Sequence, residues 1–337
     1  MSSRGRDIDD LVVHARQGQA RAVARLISLI EDGAPELRAL AAALARETGR
    51  AQVVGITGSP GVGKSTTVSV LVTALRAAGK RVGVLAVDPS SPFSGGALLG
   101  DRVRMQEHTT DPGVFIRSMA TRGHLGGIAW ATPQALRVLA AAGCDEVLVE
   151  TVGVGQSEVE VMALADTTVV LLAPGMGDGI QAAKAGILEV ADVFVVNKAD
   201  REGADQTVRE LKHLISLGRR GSAGASWRPP VICTVATKSD GIDELIAAIE
   251  QHRAWMLDHG ELDARRQRRA EAEIEAIALA QLHGKLGDLL RGSALRGLAK
   301  RVVVGELDVY RAADELVTEL GACSRGRDTP GTGATSQ

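Results

Sequence analysis

Residues 53–57 read Val-Val-Gly-Ile-Thr, and residues 58–66 continue as Gly-Ser-Pro-Gly-Val-Gly-Lys-Ser-Thr. The first run predicts a strand, and the second matches the Walker A pattern Gly-x-x-x-x-Gly-Lys-Ser before a helical sequence. Glycines let consecutive backbone N–H groups turn inward around phosphate oxygens, next to the positive end of the helix dipole. The sequence therefore predicts a triphosphate site at Gly58, Ser59, Pro60, Gly61, Val62, Gly63, Lys64, Ser65 and Thr66.

Two side chains of this loop have expected roles. Lys64 is predicted to reach the β- and γ-phosphates, and the Ser65 hydroxyl is predicted to ligate Mg²⁺. The alternative is an ordinary glycine-rich turn between a strand and a helix, which the complete pattern in this context disfavours.

Six further aliphatic runs alternate with helical patterns, at residues 82–87, 114–118, 146–150, 168–173, 192–196 and 231–235. Near-continuous apolar strands separated by helices predict an α/β fold, a P-loop NTPase with a mostly parallel central sheet flanked by helices. Helical patterns before and after this region predict additions at both ends. The predicted domains are an N-terminal helical extension (1–48), a domain that carries the phosphate loop (49–256), a C-terminal helical region (257–323) and a disordered tail (324–337).

The composition narrows the function classes. Of 337 residues 45% are hydrophobic but only 2% are aromatic, and the net charge is −2. Such a charge gives no electrostatic reason to expect binding to nucleic acid or to an anionic membrane. The start lacks an apolar signal segment, no 18-residue apolar run occurs, and the three cysteines are widely separated. We expect a cytoplasmic protein without nucleic-acid or membrane partners.

A second motif, Asn197-Lys198-Ala199-Asp200, follows the apolar run 192–196. Guanine presents N1–H and N2–H₂ side by side, so the Asp200 carboxylate could accept both, whereas adenine offers no such pair. Asn197 would hold the loop, and the Lys198 stem would pack over the base. A helix-capping loop is the alternative interpretation. The segment that would close over the base is Thr234, Val235, Ala236 and Thr237.

Three acids between these motifs suit a metal ion. Asp88 and Glu150 follow predicted strands, and Asp101 follows Gly100. Because Mg²⁺ prefers a few carboxylates with water and phosphate oxygens, one or two of them could complete the shell begun by Ser65. Each also has an ordinary structural explanation, as a turn former, a helix cap or a strand-end charge.

Gly153 is expected to donate its N–H to the γ-phosphate, which completes a predicted catalytic set of Lys64, Asp88, Asp101, Glu150 and Gly153. Where Ras-type GTPases carry a water-orienting Gln, this chain has Val154, and Gln156 lies two residues further on. We therefore expect slow intrinsic hydrolysis that a partner or a rearranged loop accelerates. Arginines that could supply charge in the transition state are Arg102, Arg104, Arg117 and Arg122.

These motifs together resemble the MeaB/ArgK GTPases, SIMIBI-class P-loop proteins that serve adenosylcobalamin-dependent methylmalonyl-CoA mutase. The resemblance rests on 58–66, on Asp88-Pro-Ser-Ser-Pro-Phe-Ser-Gly-Gly-Ala-Leu-Leu-Gly-Asp-Arg, and on three shorter stretches that begin at Ser118, Glu150 and Asn197. It extends from about residue 8 to 320.

The resemblance implies a GTP- and GDP-binding chaperone that requires Mg²⁺. Its hydrolysis of GTP would gate cobalamin loading and would protect or reactivate the mutase. It also implies a homodimer formed through the C-terminal helices. A further segment, 174–186, would couple hydrolysis to the partner through Lys184, although its sequence departs from the commoner family form.

Three other functions stay open from the sequence. A metallocentre-insertion GTPase would need His/Cys clusters, but the seven histidines are scattered and none neighbours a cysteine. A regulatory switch or scaffold with little hydrolysis is compatible with Val154. ATP-dependent energisation of transport would require a preference for ATP.

Residues 262–290 predict one long amphipathic helix with an apolar face at Ile274, Ile277, Ala278, Leu282, Leu286 and Leu289. We interpret this face as a dimer interface, with a core face as the alternative. The run Arg265-Arg-Gln-Arg-Arg269 is interpreted as the solvated side of the same helix.

Overall fold

A computed structural model describes residues 3–47, 50–89, 106–121, 127–151, 162–175, 191–218, 227–290 and 293–325. Its centre is a seven-stranded sheet in the order β3-β2-β4-β1-β5-β6-β7, and each neighbouring pair is parallel. The strands are β1 (Gln52–Gly58), β2 (Val82–Pro89), β3 (Val114–Thr121), β4 (Glu146–Thr151), β5 (Thr167–Leu172), β6 (Val193–Asn197) and β7 (Val231–Thr234). The predicted α/β P-loop fold is therefore confirmed, and its seven aliphatic runs are these strands.

Helices cover both faces of the sheet, which explains why its strands are apolar without alternation. On one face, Val53 packs into a core shared with α1 (Ser3–Arg16), α2 (Ala20–Glu31), α3 (Leu37–Leu44) and α5 (Gly127–Ala141). On the other, Val54 packs into a core shared with α4 (Lys64–Ala77) and α7 (Ile242–Asp258). A third cluster includes Phe194 of β6 and Leu211 of α6 (Ala204–Gly218). Successive residues of β1 thus supply opposite cores.

The N-terminal helices α1 to α3 belong to the same core as the sheet. Leu26 and Ile30 of α2 are fully buried there. At the edge of the sheet, Arg117 of β3 forms an ion pair with Glu31 of α2 and donates to the Ser28 hydroxyl at 3.0 Å. Of the four arginines that could supply charge in the transition state, Arg117 thus fastens the N-terminal helices to the sheet.

The chain divides into two compact units, Met1–Glu273 and Ile274–Gln337. The division falls within α8 (Glu261–Leu290), which is followed by α9 (Ser293–Val303) and α10 (Val309–Arg325). The domain boundary predicted after residue 256 stays a prediction. Helix α10 ends two residues inside the predicted tail, and residues 326–337 lie outside the described part of the chain.

Three arginines at the start of α8 bind two acids at the amino ends of β5 and β6. Arg265 contacts both carboxylate oxygens of Asp192 at 2.7 Å. Arg266 and Arg269 both donate to Asp166, at 2.9 and 2.5 Å, and Asp166 also accepts the backbone N–H of Val53 at 3.0 Å. The interpretation of this arginine run as a solvated helix face is wrong for these three residues, although Arg268 is exposed and pairs with Glu261.

An aromatic cluster adjoins this arginine network. The His252 ring of α7 is fully buried. Its Nδ1 lies 2.9 Å from the Thr167 hydroxyl, and its Nε2 lies 3.3 Å from Asp192 Oδ1. The Trp227 ring packs 4.9 Å from that imidazole and 5.8 Å from Trp255, and its indole N–H donates to the Asp192 carbonyl. Two of the few aromatic side chains therefore meet at the amino end of β6.

The second unit presents several apolar side chains at its surface. Ile274 is 67% exposed and Leu282 is 53% exposed, and Leu279, Val303, Val309 and Val317 are also exposed. The side chains of Leu286 and Leu289 lie outside the described part of the chain. No helix among the described residues is long and apolar enough to cross a membrane.

Candidate nucleotide-binding site

The Walker A residues form a tight loop between β1 and α4. Gly63 is the N-cap of α4 with φ of 102°, so the loop reaches the helix in a left-handed conformation that suits glycine. The Lys64 ammonium donates to the carbonyl oxygens of Gly58 at 2.6 Å and Ser59 at 3.2 Å. Lys64 is thereby held over the loop, at the position from which a P-loop lysine reaches phosphate oxygens.

Ser65 and Glu150 form the second part of the site. The Ser65 hydroxyl donates to Glu150 Oε1 at 2.6 Å, and both side chains are buried. Glu150 occupies the carboxyl end of β4, adjacent to Ile56 of β1. A hydroxyl and a carboxylate in contact are hard oxygen donors, so this pair fits the preference of Mg²⁺.

The motif 197–200 lies directly beside the phosphate loop. The Asn197 amide donates from Nδ2 to the Val62 carbonyl at 2.8 Å, and its Oδ1 accepts from the Thr234 hydroxyl and the Ala236 N–H, both at 3.1 Å. The Lys198 ammonium donates to the Gly61 carbonyl at 2.7 Å. Asn197 therefore joins the phosphate loop, its own loop and the segment after β7.

Asp200 lies at the surface next to the turn that follows β7. Its carboxylate is 3.1 Å from the Lys238 ammonium, and this hydrogen bond lowers the pKa of Asp200 from its ordinary value. Among the described residues, positive φ outside glycine occurs at Lys198 (60°) and Ser239 (57°), and both lie in these two adjoining loops. Such conformations are rare and tend to occur at functional sites.

Several predicted site residues lie outside the described part of the chain. These are Asp101, Gly153, Val154, Gln156, Arg102, Arg104, Arg122 and Lys184. For Asp88 the backbone is described, next to Val87 at the carboxyl end of β2, and the side chain is not. The metal and catalytic roles predicted for these residues stay predictions.

One residue of this site, Lys238, was missing from the sequence-based set. Its ammonium bonds Asp200. Lys238 directly follows the predicted segment 234–237, so it lay within reach of the motif argument. Ala236 and Val235 are buried, whereas Thr237 and Thr66 are exposed.

Comparisons with known proteins agree with this geometry. The family model "Methylmalonyl Co-A mutase-associated GTPase MeaB" matches residues 23–288. A Pyrococcus abyssi protein described as a candidate GTPase is 48% identical over 313 residues, which cover 93% of this chain and 97% of that protein. The mouse mitochondrial "Methylmalonic aciduria type A homolog" is 36% identical over 331 residues, with 93% and 79% of the two chains covered.

A solved structure has the same fold. The crystal structure of a "LAO/AO transport system kinase" is 25% identical, with a TM-score of 0.66 over 95% of this chain and 99% of the other. The family match covers the whole sheet, the phosphate loop and the 197–200 motif. The chain is a P-loop GTPase of the MeaB family.

Proposed function

We propose that GTP and GDP bind with their phosphates in the 58–66 loop and their base between Lys198, Asp200 and the segment 235–237. The observation that carries this proposal is the set of hydrogen bonds from Asn197 to Val62, Thr234 and Ala236. These bonds join the 197–200 loop to the phosphate loop although more than 130 residues separate Asn197 from Val62 in sequence. That contact supports a contiguous nucleotide site.

Ser65 and Glu150 would hold Mg²⁺, with Asp88 and Asp101 as the remaining candidate acids. The ion would neutralise the β- and γ-phosphate oxygens during hydrolysis. Lys64 would exchange its hydrogen bonds to the Gly58 and Ser59 carbonyls for hydrogen bonds to those phosphate oxygens. Gly153 would contact the γ-phosphate. Because Val154 has no group that orients water, intrinsic hydrolysis would be slow.

The output of this GTPase, we propose, is chaperoning of adenosylcobalamin-dependent methylmalonyl-CoA mutase. The support is the description of the family as mutase-associated and the name of the mouse relative. In this model GTP hydrolysis gates delivery of adenosylcobalamin to the mutase and protects or reactivates the loaded enzyme. The exposed apolar residues Ile274 and Leu282 support a homodimer formed through the C-terminal helices. Action in the cytoplasm stays a prediction.

The test is single-turnover GTP hydrolysis by the full chain, with and without methylmalonyl-CoA mutase. We expect a slow rate for the chain alone and at least a tenfold increase with the mutase. A parallel assay follows adenosylcobalamin transfer into the mutase with GTP, GDP or a non-hydrolysable GTP analogue, and transfer should depend on which nucleotide is bound. Asp200→Ala is the control for nucleotide identity, because it should remove the preference for GTP over ATP.

The strongest alternative is a switch or scaffold whose output is nucleotide-dependent binding alone, which Val154 favours. A scaffold would bind the mutase in one nucleotide state with no change in the hydrolysis rate. Binding and cofactor transfer that are indifferent to the nucleotide would exclude the gating model as well.

A further inference from the structure

We propose that Lys238 is a positioning residue for guanine recognition, which holds the Asp200 carboxylate in the orientation that presents it to the base. The inference rests on the guanine-nucleotide site proposed above. It adds a residue that lies outside the motif 197–200 and one position beyond the predicted segment 234–237.

The contact between the two side chains is direct. Lys238 Nζ lies 3.1 Å from Asp200 Oδ2, and the side chains are 66% and 43% exposed. Lys198, the other lysine of the base loop, is engaged elsewhere, because its ammonium donates to the Gly61 carbonyl. Lys238 is thus the lysine that the described structure places on the guanine-reading carboxylate.

The backbone around Lys238 is constrained on both sides. Residues 236–238 form one turn of 3-10 helix that ends at Ser239, with φ of 57°. Val235 and Asp240 then pair as an antiparallel bridge, in which the Val235 N–H donates to the Asp240 carbonyl at 3.0 Å. This closed turn fixes where the Lys238 side chain begins.

Gly241 shows how tightly that turn packs against β7. Its φ is 74°, and a Cβ atom there would lie 2.1 Å from the Cys233 carbonyl oxygen. A residue other than glycine would therefore displace the turn. This strained turn brings the Lys238 side chain to the Asp200 carboxylate. Such strain is consistent with a role of the turn in the nucleotide site.

Lysine and guanine can share the carboxylate. An ionised carboxylate offers about four acceptor positions, and Lys238 occupies one of them on Oδ2. The Asp200 backbone N–H occupies another position, which leaves about two acceptor positions for guanine N1–H and N2–H₂. The lysine hydrogen bond also lowers the pKa of Asp200, so the carboxylate keeps the charge that both donors require.

The energy of the pair sets the size of the effect. Exposed ion pairs contribute little, at most roughly fivefold in affinity. Lys238 should therefore tune guanine affinity by a few-fold, whereas loss of Asp200 should remove the preference for guanine.

The experiment measures GDP, IDP and ADP binding by calorimetry for four variants of the full chain. Lys238→Met keeps the aliphatic stem, Lys238→Arg keeps a cation, and Asp200→Ala is made alone and together with Lys238→Met. We expect Lys238→Met to weaken GDP binding by about threefold to fivefold and IDP binding by less, because inosine lacks the 2-amino group. Lys238→Arg should restore most of the loss, and Lys238→Met should have no further effect once Asp200 is Ala.

Three outcomes would overturn the inference. Equal losses with and without Asp200 would show that Lys238 acts through the turn or on the nucleotide itself. Tighter GDP binding by Lys238→Met would show that the lysine competes with the base, and unchanged binding would show that it has no part in recognition. The proposed guanine site fails separately, if Asp200→Ala leaves the discrimination between GDP and ADP intact.

Discussion

Gly63 and Asn197 approach so closely that a Cβ atom on the glycine would lie 2.4 Å from the asparagine amide nitrogen. That nitrogen donates to the neighbouring Val62 carbonyl, so the phosphate loop and the base loop are joined where no side chain fits at position 63. Because Gly63 also has φ of 102°, both space and backbone conformation require glycine there.

Gly63→Ala should therefore weaken GDP binding by about tenfold or more, since it displaces Asn197 and strains the loop. Gly61→Ala is the matched control, because Gly61 also has a positive φ, of 81°, but no atom lies within 4 Å of its added Cβ. Titration with a fluorescent GDP analogue measures both variants. A loss for Gly61→Ala equal to that for Gly63→Ala would show that backbone strain alone is responsible.

Glu150→Gln should reduce Mg²⁺-dependent GTP hydrolysis by about a hundredfold or more, because the amide keeps the size of the side chain but loses the charge that a metal ion requires. GDP binding without Mg²⁺ should change little. Glu146→Gln is the control at the other end of β4, where Glu146 pairs with Lys80. Multiple-turnover phosphate release is the measurement, and a wild-type rate for Glu150→Gln would remove this residue from the metal site.

Arg269→Gln should lower the free energy of unfolding by about 1–3 kcal/mol, because it removes one partner of the buried Asp166 carboxylate. Arg268→Gln, at the neighbouring position, should change it by less than about 1 kcal/mol, since Arg268 and Glu261 form an exposed pair. Urea unfolding followed by circular dichroism compares the two. Similar values would mean that the buried network adds nothing beyond a surface contact.

The stability of the first unit should fall as the pH decreases below about 6.5. Burial lowers the pKa of His252, against the opposing influence of Asp192, so the unfolded chain takes up a proton there before the folded chain does. The slope from this group can reach, at most, about 1.4 kcal/mol per pH unit. Unfolding in urea at pH 7.5 and 5.5 measures it.

His252→Gln should flatten that dependence while it lowers stability at pH 7.5, because the Thr167 and Asp192 contacts change. His259→Gln is the control. His259 is exposed at the end of the same helix, so this change leaves the His252 imidazole in place and should keep the pH dependence of the unfolding free energy. If His252→Gln retained the full slope, another group would be its source.

Leu282→Glu should convert the proposed homodimer into monomers, because a charge on an exposed apolar residue of α8 opposes burial in an interface. Leu257→Glu is the matched control, since Leu257 is also exposed but lies on α7 in the first unit. Sedimentation equilibrium over a range of concentrations gives the mass of each variant. A monomeric wild-type chain, or a dimeric Leu282→Glu, would contradict the interface.

The fold was predictable because most of its strands are apolar on both faces. A run such as Val193–Val196 is buried on both faces of the sheet. Such a continuous apolar run identifies a strand from its own sequence, without knowledge of which strands lie beside it. The contact between Asn197 and the phosphate loop was also predictable, because the carboxyl ends of parallel strands meet at one edge of the sheet.

The arginine network and the Lys238 contact were not predictable in the same way. Arg265 and Arg269 lie 73 and 103 residues from their partners Asp192 and Asp166, and charge on a helix usually indicates a solvated face. The contact of Lys238 depends on the left-handed conformation of Ser239, which no propensity of serine indicates. Both depend on tertiary placement rather than on local pattern.

The aromatic cluster at the amino end of β6 gives the protein an intrinsic optical reporter. Trp227 and Trp255 are two of the chain's three tryptophans, and both lie near His252, at the end of β6 opposite to Asn197. About 13 Å of strand separates the two ends. Emission from these indoles therefore reports on the Asp192–Arg265 network and on the protonation of His252, so a spectral change upon addition of GTP would reveal that an event at the phosphates is felt along the length of the strands.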